Sequence, residues 1–125
     1  MSDLTDYARN LLARAVCARA PGLPTAVYAA LGTGGTATAG ISGEPAGHGY
    51  ARQRVTFTGT GIQRNAEALR FVFSAAAGTL THVGLYDAAT GGNPLLVSPL
   101  DTPVAMVGAG TVTLAAESLV VNPRA

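Results

Sequence analysis

Residues 81–96, THVGLYDAATGGNPLL, decide how this chain is to be read. They hold a histidine, an aspartate, a tyrosine and a pair of glycines, the ingredients of a reaction centre or of two strands and a turn. THVGLY has the β-branched and aromatic content of a strand, DAATGGN supplies residues that tolerate reversal and positive φ, and PLL opens the next strand. Asp87 is expected to hydrogen-bond the loop backbone, with Gly91 and Gly92 making the reversal. Gly84, inside the first strand, marks a bulge or a close backbone approach. The stretch therefore reads as a hairpin, and apolar groups on both faces of THVGLY predict a central strand.

Working outward, the same two-residue period recurs. In RQRVTFT (52–58), Gln53, Val55 and Phe57 share one face, while Arg52, Arg54, Thr56 and Thr58 share the other. ALRFVFS turns Leu69, Phe71 and Phe73 inward. LLVSPL, TPVAMV, TVTLAA and SLVV read as four further short strands, with Pro99 and Pro103 at edges or strand ends because proline cannot donate to a ladder. Upstream, TAVYAAL (25–31) is the first strand. Before it, Leu4, Ala8, Leu11, Leu12, Ala15 and Val16 recur at helical spacing, which predicts an amphipathic helix over 4–19, capped by Ser2 or Asp3 and stopped by PGLP. Residues 32–49, GTGGTATAGISGEPAGHG, have no period and read either as a floppy surface loop or as an arm that orders against a partner. The expected architecture is one domain over 1–125. It is mainly β: a two-layer antiparallel sandwich, jelly-roll-like or alternatively immunoglobulin-like, with one N-terminal helix and the remaining strands over 50–121.

Composition narrows the function. The net charge is +1, all eight basic residues are arginine, and charged residues make up only 12% of the chain. No basic cluster exceeds RQR, which argues against a nucleic-acid binder, since phosphate affinity scales with the number of neutralising contacts. Cys17 stands alone, so no intrachain disulfide or cysteine zinc site is expected; among helical alanines it reads as a small buried hydrophobe. The opening MSDLTDYARN does not read as a secretory signal, and no apolar run reaches the ~18 residues of a membrane span.

Catalytic sets do not converge. Ser74, His82 and Asp87 could be nominated as nucleophile, base and orienter, but no GxSxG elbow presents the serine. Glu44, Glu67, Asp87, Asp101 and Glu117 are scattered over loops, with no pair on a common face. His48 and His82 lack metal-ligand spacing, and GTGG lacks the lysine of a phosphate loop. The residues thus predict a non-enzymatic protein without cofactor or metal.

In order along the chain, LTDYARNLLARAV, TAVYAAL, GYARQRVTF and THVGLYDAATGGN resemble small structural proteins of tailed bacteriophage particles. The resemblance implies a virion component, assembled in the bacterial host cytoplasm, and carries over no catalytic residue. A fibre would be expected to show repeats, heptads or β-helical periodicity, and none is present. The expectation is accordingly a capsid-surface decoration or cement protein bridging capsid subunits. A tail or neck adaptor or fibre base is the alternative, and a glycan-binding module a further one. The expected partners are the major capsid protein or other virion proteins, and the chain itself as a dimer or trimer, with no nucleic acid and no membrane. Candidate contacts are Arg9, Arg14, Arg52, Arg54, His48 and Tyr50.

Overall fold

The computed structural model describes residues 3–19, 22, 24–45, 47 and 49–121, without the side chains of Asp3 and Asp101. In chain order the elements are β1 (Asp3–Leu4), α1 (Asp6–Val16), β2 (Val27–Gly32), β3 (Gly34–Thr36), β4 (Gly40–Ser42), β5 (Gln53–Val55) and β6 (Phe57–Thr58). They continue with β7 (Gln63–Asn65), β8 (Leu69–Phe73), β9 (Gly78–Tyr86), β10 (Pro94–Met106), β11 (Gly110–Leu114) and β12 (Val120–Val121). The protein is mainly β and antiparallel, a sandwich with, among the described residues, one helix near its N-terminus. A five-stranded sheet runs β1-β10-β9-β2-β5, and the rest is built from the pairs β11-β8 and β3-β4 and the triplet β12-β7-β6.

The two-residue period explains the core. Ala29 lies opposite Leu85 and Leu31 opposite Val83, so one face of the large sheet is apolar. Leu69, Phe71 and Phe73 alternate inward from β8, and with Val112 and Leu119 they join that face in one cluster. Each such leucine or phenylalanine taken from water contributes about 1.5–3 kcal/mol. β9 is central, as its two apolar faces predict. RQRVTFT is divided at Thr56: β5 pairs with β2, whereas β6 pairs with β7, so the chain changes sheets there. Buried Asn65 holds that corner, its amide donating to the Glu67 and Ala115 carbonyls and its oxygen accepting from Leu119 N–H.

The predicted hairpin is present. Asp87 Oδ1 accepts from Asn93 N–H at 2.7 Å and Oδ2 from the Asn93 amide at 3.1 Å, while Gly91 and Gly92 adopt φ of 62° and 75°. LLVSPL and TPVAMV prove to be one strand, β10. Its register to β9 breaks between Pro99 and Val104, so the two prolines flank an irregularity in a long strand instead of ending two short ones.

The helix is shorter than 4–19. Leu4 is drawn into β1 opposite Leu96, and Thr5, not Ser2 or Asp3, is the cap: its Oγ1 accepts from Ala8 N–H at 3.2 Å and donates to the Pro94 carbonyl at 2.5 Å. Ser2 lies outside the described residues. At the other end Ala18 takes φ 58°, with Ala18 N–H bonded to Ala15 O and Arg19 N–H to Arg14 O, so a left-handed closure stops the helix before PGLP. Cys17, the C-cap, is exposed and not a core residue.

The largest departure concerns the first part of the stretch read as an arm or loop without period. Within it β3 and β4 form a hairpin laid on the outer face of the large sheet, with Thr33 N–H bonded to Ser42 O at 3.0 Å. Its seat is the row Ala30, Gly84, Val97, whose small members admit the Ile41 side chain. A Cβ on Gly84 would run into Ile41 and the Leu96 carbonyl, and one on Gly32 into Ile41 and the Ser42 carbonyl. Gly84 thus marks a close approach, not a bulge.

Gly84→Ala is therefore expected to destabilise the protein by about 1–3 kcal/mol through overpacking. In the background of Ile41→Ala its added cost should shrink to well under half. A denaturant double-mutant cycle reads this coupling, and strict additivity would mean that the two residues do not share the seat.

Candidate functional site

The polar centre of the molecule is built around Arg52, just before β5. Its Nε donates to Glu44 Oε2 at 2.8 Å and its Nη2 to Glu44 Oε1 at 2.9 Å, a two-pronged pair. Nη1 donates to the Ala88 and Gly91 carbonyls at 3.0 and 2.7 Å, which ties the same guanidinium to the β9–β10 turn. Its plane also covers Tyr86, with the central carbon 4.0 Å from the ring centroid. The Arg52 side chain is 8% exposed and that of Glu44 26%.

Two tyrosines carry this centre into the sheet. Tyr50 O–H donates to Glu44 Oε2 at 2.7 Å and accepts from Leu31 N–H at 3.0 Å, past the point where β5 stops pairing with β2. Its ring stacks on Phe71 and Phe73 at centroid distances of 6.2 and 5.7 Å. Tyr86 Oη accepts Ile41 N–H at 2.9 Å, so the ring under Arg52 also holds the glycine hairpin. Burial by itself would raise the Glu44 carboxyl, but the hydrogen bonds from Arg52 and Tyr50 and the guanidinium charge outweigh it and leave the group below its ordinary value. Burial, together with the bond to Glu44, pushes the Tyr50 hydroxyl up, and the bond to Glu44 raises Arg52 further.

The cavity beside this centre, about 380 Å³, lies between the 44–52 segment and the turn residues Ala89, Thr90 and Gly91. Its charged groups face each other. The arrangement is chemically a clamp: four donor bonds from one planar cation join Arg52 to Glu44 and to the 88–91 turn.

The candidate contacts divide into two sets. Arg52 and Tyr50 are partly buried in the clamp; Arg9 and Arg14 are exposed on α1, and Arg54 is exposed on β5 opposite Tyr28. His48 lies outside the described residues. Of the four tyrosines, Tyr50 and Tyr86 are committed internally, leaving Tyr7 at 37% exposure and half-buried Tyr28 as rings available to a ligand. Ser74, His82 and Asp87 do not form a relay. His82 Nδ1 lies 2.8 Å from Thr81 Oγ1, which itself donates to Thr33 O, and both Asp87 oxygens accept from Asn93. Among the described residues no three histidine, cysteine or acidic side chains are grouped as metal ligands.

Glu44 and Tyr86 went unread as a unit with Arg52. The only sequence signal was a lone acid in an otherwise uncharged glycine-rich stretch, a few residues ahead of a strand carrying two arginines.

Arg52→Ala should cost about 2–4 kcal/mol, since it leaves a partly buried carboxylate and two carbonyls unpaired. Arg52→Lys should recover only a minor part, because an ammonium cannot span both Glu44 oxygens and the turn. Because the Glu44 carboxyl is lower in the folded than in the unfolded chain, the stability it contributes is complete above the ordinary carboxylate range. It is lost as pH falls through the depressed folded value. Acid titration of the unfolding free energy should show this limb in the natural chain and a flatter one in Glu44→Gln; identical limbs would contradict the clamp.

None of the curated proteins matches the chain. A family model described as Podophage GP4 fiber I protein gp80 matches residues 3–122. With nearly the whole sandwich inside that match, from β1 to the residue after β12, the chain belongs to this family of phage fibre proteins and is a virion structural protein.

Proposed function

We propose that this chain is a non-enzymatic subunit of the tail-fibre apparatus, a compact body that mounts or ends a fibre. The observation that carries the reading is the family match across residues 3–122, whose description names a fibre protein. It supports the tail or fibre-base alternative over capsid decoration. The absence of repeats, which favoured a cement protein from sequence, counts against a shaft only; a globular base or tip needs only one packed unit.

The fold suits a part that transmits load. Arg52 joins the 44–52 segment, the 88–91 turn and β9, and the glycine hairpin is packed on the sheet, so few segments can yield independently. Contacts to neighbouring virion proteins then fall to exposed groups. Arg9 and Arg14 on α1 and Arg54 on β5 are the candidates, with His48 beside the clamp in sequence. Arg52 and Tyr50 act indirectly, by fixing the surface that those neighbours meet.

Purified virions test this by quantitative mass spectrometry and antibody labelling in electron micrographs. The expected outcome is label at the tail and a copy number on the order of tens, set by a small ring symmetry. Label spread over the capsid with copies in the hundreds would return the protein to the shell.

A further inference from the structure

We draw no further inference here: the strongest candidate, the apolar groove of about 360 Å³ between α1 and the large sheet, lined by Leu11, Leu12, Phe57, Leu95 and Val121, carries nothing because no feature of the structure shows what covers it.

Discussion

One guanidinium organises the outer face of this protein. Arg52 meets a carboxylate eight residues before it in sequence, two carbonyls of a turn some forty residues after it, and the face of Tyr86. The tyrosine in turn receives the amide of Ile41, and Tyr50, bonded to the same carboxylate, receives the amide of Leu31. A fork of fixed planar geometry can satisfy partners in several directions at once, which a flexible ammonium cannot. Remove that geometry, and the hairpin keeps its own glycine-rich pairing, the packing of Ile41 and single hydrogen bonds from Thr81 to Thr33 and from Asp6 to Ala37.

The packing of Ile41 is the second constraint, and it works by absence of side chain. Two strands of the central sheet carry glycine or alanine along one strip, so a neighbouring hairpin can lie close to the backbone. The chain thereby gains a third layer over part of its sandwich without large hydrophobes. That accounts for an ordinary apolar fraction of 48% coexisting with aromatics at only 6%.

Much of the fold was legible in sequence where side-chain contrast was high. The alternation in LRFVF and in QRV, and the Asp-Gly-Gly-Asn chemistry of the central turn, depend on local rules and came through. The glycine hairpin did not. A strand is recognised by large and small or apolar and polar residues taking turns, and GTGGTATAGIS offers almost no such contrast, although its backbone pairs as well as any other. The helix ends were misjudged for a related reason: Ala18 occupies a left-handed position usually held by glycine, so nothing marks the stop. The clamp was illegible because its parts are far apart along the chain and the arginine looks like any residue on a solvated strand face. Resemblance pointed to a virion, and the missing repeats favoured the shell, although repeats are expected of a fibre's shaft and not of a globular part.

The account turns on the β3–β4 hairpin and its flanks, residues 32–45, being a fixed part of the isolated molecule, held by Arg52 and the two tyrosines with no partner present. Amide hydrogen exchange on the purified chain reads this directly. The N–H groups of Leu31, Thr33 and Ile41, bonded to Tyr50, Ser42 and Tyr86, should exchange at least a hundredfold more slowly than in an unstructured peptide, a modest protection for a packed segment. Exchange of Thr33 and Ile41 at the free-peptide rate, beside a protected β9, would show a loose arm and contradict the account.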